Sequence, residues 1–228
     1  MEKFLYGSGH LTCSIALAIA KGDIKGEISA QVKANIDRSA AYVRQIVERG
    51  QVVYGINTGF GPLCTTLIDA DQTQLLQENI LKSHAVGMGE PIANDLAKVM
   101  LILKVHALAK GFSGVQYSTI ERIIWHIEQD VVPVVPKQGS VGASGDLAPL
   151  SHLFLPLIGL GKVSVNGEIY ATETILAKHG LKPVHLGAKE GLALINGTQF
   201  MAAHGVKAVS EFNRVLQNAD IIAALMIE

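Results

Sequence analysis

Reactive possibilities in this chain gather in three glycine-rich stretches. The most unusual is Gln138-Gly139-Ser140-Val141-Gly142-Ala143-Ser144-Gly145-Asp146-Leu147, which follows Pro133 and Pro136 and leads into an apolar segment. If the backbone bends hard enough there, the amide nitrogen of Gly145 can attack the carbonyl carbon of Ala143. Glycine at the attacking position removes side-chain obstruction, and alanine leaves the carbonyl open. Loss of water closes a five-membered ring. Loss of the Ser144 hydroxyl as a second water leaves an exocyclic methylidene, an electron-poor alkene. Strain of this kind persists only where the surroundings over-determine it, and a helix N-terminus behind the ring would favour the electron density it receives. Plainer readings stand beside this one. Ser144 and Asp146 could simply cap the following helix, or the loop could cradle a phosphate. The Lys-Ser/Thr pair of a phosphate-binding loop is missing, however, and no ribose-binding acid stands in a βαβ setting, so no nucleotide cofactor is expected.

The second stretch, Tyr54-Gly55-Ile56-Asn57-Thr58-Gly59-Phe60-Gly61, has three glycines in eight residues. Such a backbone can lie close to a ligand. Tyr54 beside it can accept a proton if donors or positive charge stabilise its phenolate; the alternative is a structural turn with Tyr54 in the core. The third stretch runs from Lys189 to Gln199 through Asn196-Gly197. Asn196 could cap a long helix, or point its amide at a carboxylate or a ring oxygen.

Mostly helical elements must position these loops. Ser29 should cap a helix whose Val32, Ile36, Ala40, Val43, Ile46 and Val47 share a face, with Gly50 as its stop. Asp71 should cap Gln72 to His84, with Leu75, Leu76, Asn79, Ile80 and Ser83 at helical intervals. Asn94 opens a third helix that stops at Gly111, and Ser118 should cap a fourth reaching about Gln129. Prolines 133 and 136 make the segment from Asp130 to Pro136 extended. Lys162 to Ala171 alternates around Asn166-Gly167, a hairpin signal. An apolar helix is expected from Leu147 to Leu157 (Pro149 being tolerated in its first turn), a short one from Thr172 to His179, and a long one from about Thr198. The last is apolar on every face near Ile221 to Ile227, as suits the inside of a bundle. With no breaker or polar tail before Glu228, the sequence reads as the N-terminal portion, 1–228, of a larger protein. The expected fold class is mainly α: a helical bundle with a small β-hairpin and glycine-rich loops.

Composition narrows the partners. Of 228 residues, 49% are apolar and 17% charged, rich enough in core formers to suggest surface buried in a further contact. Lys and Arg number 19 against 20 Asp and Glu, so nothing draws the chain to nucleic acid or an anionic membrane. Cys13 and Cys64 show no metal-ligand spacing, and the histidines form no HExxH pattern; no metal is expected. Leu11 to Ala20 is apolar but lacks the basic lead of a secretory signal, since Glu2 offsets Lys3. Lys104 and His106 interrupt the longest apolar run. A cytoplasmic protein is the expectation.

Taken together, Val53 to Gly61, Gly139 to Leu150 and Ala188 to Gln199 resemble the aromatic amino-acid ammonia-lyases, whose members act on histidine, phenylalanine or tyrosine. Gly142-Ala143-Ser144-Gly145-Asp146-Leu147-Ala148-Pro149-Leu150 is highly specific, and Ser83 to Gly87 and Lys110 to Gly114 extend the resemblance through nearly the whole chain. The resemblance implies that Ala143, Ser144 and Gly145 cyclise to 4-methylidene-imidazole-5-one (MIO). It also implies that Tyr54 is the catalytic base, that Asn196 touches both the prosthetic group and the substrate, and that Asp146 helps ring formation. His84 falls where the family selects its substrate's ring; an imidazole there can hydrogen-bond an imidazole or phenol but offers benzene nothing. The wording around His84 and Tyr54 looks most like the histidine-acting members, which implies elimination of ammonia from L-histidine to trans-urocanate, the opening of histidine catabolism. A tyrosine-acting lyase, an aminomutase with the same group, or a non-catalytic truncated piece are the alternatives. Family members are longer than this chain and assemble as homotetramers, so alone it is expected to be nearly inactive and to associate through its exposed apolar end.

Overall fold

The computed structural model describes residues 2–59 and 70–228. The fold is mainly helical, with three small sheets among the described residues. Strand β1 (Glu2–Leu5) pairs in parallel with β2 (Ile24–Glu27), and α1 (Cys13–Lys21) connects them. Thr12 caps α1 by accepting from the Ile15 N–H, and the apolar stretch around it buries Ala16, Ile19 and Ala20. Neither strand was legible in the sequence, because Glu2 to Leu5 and Ile24 to Glu27 are too short to show a period.

Helix α2 (Ala30–Glu48) starts where expected, Ser29 Oγ accepting from Val32 N–H at 3.3 Å, and buries Val32, Ile36, Ala40, Val43 and Ile46. Helix α3 (Ala70–His84) ends as anticipated but presents another face. Thr73, Gln77, Ile80 and Leu81 are buried while Leu75 is 55% exposed, because α3 packs on backbone that Gln77 can hydrogen-bond. Asp71 lies inside this helix rather than before it, and its side chain falls outside the described residues, as do Phe60, Gly61 and Cys64. After β3 (Met88–Pro91) comes α4 (Asn94–Leu108), the central helix, packed against α1 and buried on nearly every face. Helix α5 (Tyr117–Glu128) begins one residue before Ser118, with Gln116 as its uncapped lead. A distant carboxylate holds Gln116 instead, so no local cap sets the start.

Asp130 is left-handed (φ 53°), so the extended run starts just after it as β4 (Val132–Pro133) and β5 (Pro136–Gln138). Strand β5 pairs antiparallel with β3. Helix α6 (Leu147–Phe154) tightens into a 3-10 turn at Leu155–Ile158, slightly short of the single helix expected. The hairpin β6 (Lys162–Val165) and β7 (Glu168–Ala171) turns on Asn166 and Gly167, both at positive φ as a type I′ turn requires, and β4 completes its sheet. Then follow α7 (Thr172–Lys178), α8 (Glu190–Ile195) and α9 (Gln199–Ile227). Helix α9 lies on α4 but buries only Ala203; Ile221, Ile222, Leu225, Met226 and Ile227 are exposed.

Helix α8 joins α3 at glycine-to-backbone distance. A Cβ on Gly191 would stand 2.5 Å from the Gln77 carbonyl oxygen and 2.6 Å from Ile80 Cγ2, and the Gly191 N–H donates to Gln77 Oε1 at 2.9 Å. Gly191→Ala should therefore destabilise the fold by about 2 kcal/mol, read from urea denaturation. An unchanged midpoint would show that the two helices part without penalty.

Candidate active site

The Ala143-Ser144-Gly145 tripeptide occupies a hard bend. Gly142, Ser144 and Gly145 have φ of 67°, 61° and 115°, and Ser144 is one of few non-glycine residues in that region. Such a φ is costly for serine and persists only where neighbours enforce it. Gly145 is pressed against the turn after α8, where a Cβ would stand 2.5 Å from the Gly197 carbonyl oxygen. That carbonyl accepts the Asp146 N–H at 2.8 Å. The conformation and the absence of a side chain at Gly145 both fit a tripeptide that closes on itself to MIO.

Asp146 is buried and precedes α6, yet its carboxylate makes no cap bond there. Oδ1 accepts from Ser140 Oγ at 2.8 Å, and Oδ2 accepts from the Met201 N–H at 3.0 Å in the first turn of α9. The capping reading of Ser144 and Asp146 thus gives way to a clamp between loop and long helix. Asn196 does not cap α9 either: it closes α8, its N–H donating to the Leu192 carbonyl at 2.9 Å, and its exposed side chain leaves beside Gly197.

Tyr54 is 59% exposed, which overturns the reading that packs it in the core. Its loop is held from below. Buried Asn57 accepts from the Val53 N–H at 2.9 Å and donates to the Gln51 carbonyl at 2.7 Å. Gly55 meets α8, where a Cβ would come 2.6 Å from Leu192 Cδ2. His84 is the last residue of α3, with Nδ1 2.9 Å from the Ile80 carbonyl oxygen. Nδ1 also lies 3.0 Å from Ser83 Oγ; in the neutral tautomer that donates from Nδ1 to the Ile80 carbonyl, Nε2 is the acceptor. Beyond it, the Gly87 N–H donates to His152 Nε2 on α6 at 2.9 Å, and Gly139 approaches Gly87 so that a Cβ would lie 3.0 Å from its Cα. All three loops and the end of α3 therefore reach α6 or α8. The assembled surface is open: Ala143, Ser144 and Asn196 are exposed, whereas clefts of about 460 and 360 Å³ lie elsewhere, beside Tyr6 and beside Arg44. Neither cleft is lined by Tyr54, His84, Asn196 or the Ala143–Gly145 loop.

Two buried ionisable side chains lie behind this surface, and neither was assigned a role from the sequence. Glu190, 1% exposed, accepts from the Gly187 N–H, the Gln116 N–H, Gln116 Nε2 and Thr119 Oγ1 at 2.6–2.8 Å. Burial pushes its carboxyl up, and these donors pull it partly back. Lys104, 2% exposed on α4, donates from Nζ to the Asn196 carbonyl at 3.0 Å. Burial lowers its pKa from 10.5 to about 7. A lone lysine inside the apolar run from Val99 to Ala109 was the available signal. No described helix is long and apolar enough to cross a membrane.

Fold and site together define a mainly helical protein that bends an Ala-Ser-Gly tripeptide onto an Asn-Gly turn. The family model for aromatic amino acid lyases matches residues 11–228, and the chain belongs to that family. It is 44% identical to histidine ammonia-lyase of Symbiobacterium thermophilum over 219 residues, covering 96% of this chain and 43% of that protein. Among solved structures it resembles histidine ammonia-lyase from Trypanosoma cruzi (TM-score 0.83, 38% identity, 92% of this chain and 40% of that one). It is also similar to the tyrosine aminomutase from Streptomyces globisporus (TM-score 0.81, 35% identity, 86% and 37%). The chain thus spans less than half the length of the relatives it matches.

Asp146→Ala should destabilise the fold by about 3 kcal/mol, since it strands the Met201 N–H and the Ser140 hydroxyl. A chemical-denaturation midpoint like the parent's would refute the clamp. Lys104 offers a pH test. A base with a lowered folded pKa binds fewer protons folded than unfolded, so stability should rise as pH climbs from about 7 to 10.5. Lys104→Met should flatten that rise; an unaltered slope in the same window would mean that the amine is not desolvated.

Proposed function

We propose that this chain supplies the electrophile-bearing part of a histidine ammonia-lyase, which eliminates ammonia from L-histidine to give trans-urocanate. The observation that carries it is the left-handed bend at Ser144, pinned by the Asp146 N–H on the Gly197 carbonyl immediately after Asn196. In that bend Gly145 N attacks the Ala143 carbonyl carbon, and two waters leave, one of them taking the Ser144 hydroxyl. Asp146 holds the loop while this happens. The resulting MIO supplies an electron-poor alkene that turns a poor amine leaving group into a better one.

The other residues bind, orient and move protons. Tyr54 stands at the surface as the base that takes the β-proton from substrate. Asn196 presents its amide to the substrate carboxylate and the ring oxygen. His84 Nε2, left as an acceptor by the Nδ1 contact with Ile80, receives the imidazole N–H of histidine. Because Ala143, Ser144 and Asn196 face outwards, the working site needs further protein to exclude water, as a homotetramer of longer chains would provide. The reading needs no metal or nucleotide and fits a cytoplasmic location.

The 35% identity to a tyrosine aminomutase favours tyrosine as the second reading, since an acceptor at His84 also suits a phenol. The test has two parts. Intact mass should show a deficit of two waters within the peptide containing Ala143-Ser144-Gly145, abolished in Ser144→Ala. The full-length protein should form urocanate from histidine, and His84→Leu should lower kcat/KM by about one to two orders of magnitude. A full unmodified mass in the full-length protein would sink the electrophile; coumarate or a β-amino acid from tyrosine, without urocanate, would sink the substrate assignment.

A further inference from the structure

Lys104 sits midway along α4 among Leu101, Ile102, Val105 and Leu108, all nearly inaccessible. An amine in such surroundings gives up its hydration. Filling the space would need no polar atom, because methionine has nearly the same length and bulk. No carboxylate pairs with Lys104 among the described residues. What the amine meets is one main-chain oxygen, the Asn196 carbonyl at 3.0 Å, across 92 residues of chain.

That oxygen belongs to a pivotal segment. The Asn196 N–H is already held by the Leu192 carbonyl at 2.9 Å, so α8 fixes one side of the residue and Lys104 the other. One residue on, the Gly197 carbonyl receives the Asp146 N–H at 2.8 Å and abuts Gly145. A swing of the peptide between Asn196 and Gly197 would carry the Asn196 side chain and the support of the tripeptide with it. We propose that Lys104 is a positioning residue: its amino group locks the Asn196–Gly197 peptide and so sets the Asn196 amide against the Ala143–Gly145 loop. Both the ammonium and the neutral amine donate, so the lock does not depend on charge. The catalytic meaning of this lock rests on the function proposed above, whereas the lock itself does not.

The test compares Lys104→Met, which fills the space without a donor, and Lys104→Arg, which keeps donors on a long stem, with the parent in the full-length protein. In Lys104→Met the thermal midpoint should stay at or above the parent's, because the desolvated amine is gone. Its Asp146 amide should exchange at least about tenfold faster while α4 amides stay protected. Its kcat should fall about a hundredfold, as a shift near 1 Å costs, with KM little changed. Lys104→Arg should recover most of the Asp146 protection and of kcat. The proposal is overturned if Lys104→Met leaves both Asp146 exchange and kcat within about twofold of the parent. It is equally overturned if the losses follow a lowered midpoint and Lys104→Arg repairs none of them. Should the parent make no urocanate, the function fails separately, and Asp146 exchange alone decides the lock.

Discussion

Two backbones that touch with no side chain between them set the geometry of this site. Gly145 lies so close to the Gly197 carbonyl that a methyl group at its α-carbon would overlap the oxygen, and the next N–H, that of Asp146, donates to the same oxygen. A contact of this kind leaves little positional freedom, because a hydrogen bond and a van der Waals wall act on adjacent atoms. It forces Ser144 into a conformation that serine avoids. The strain is local, and what maintains it is not. The Asp146 carboxylate ties the loop forward to α9 through Met201 and back to its own beginning through Ser140.

The surroundings of that contact are arranged to keep α8 still. Although α8 has only six residues, each end is bound to a distant part of the chain. Glu190 joins its start to Gln116, just before α5, and to Thr119 within it, Gly191 brings it against α3, and Lys104 reaches its end from α4. Such ties use buried polar groups whose bonds have a fixed direction and length, and so set position as well as contact. Neutral contacts could fill the same volume, but they would allow sliding. Directional bonds to main-chain atoms prevent it, and the Tyr54 loop benefits because Gly55 rests on Leu192 of this helix.

The reactive surface is rigid from behind and open in front. Tyr54, Ala143, Ser144 and Asn196 are exposed, and the apolar end of α9 is exposed as well. The chain belongs to the aromatic amino acid lyase family and matches less than half the length of each relative described.

Much of this was legible before any coordinates. The Ser29 cap, the Asn166-Gly167 hairpin, the C-terminal end of α3 and the start of α4 all depend on residues near one another in sequence, where local sterics and hydrogen bonding decide the outcome. Other features were not legible, for one shared reason. Gln116 rather than Ser118 leads α5 because Glu190, far along the chain, claims it; α3 turns Gln77 inward because Gly191 offers an N–H; Lys104 is buried because Asn196 needs a donor. By itself the sequence determined the helical class and the family. Only the tertiary structure decided which polar side chains go inside, because a buried donor or acceptor is paid for by a partner that local sequence does not contain.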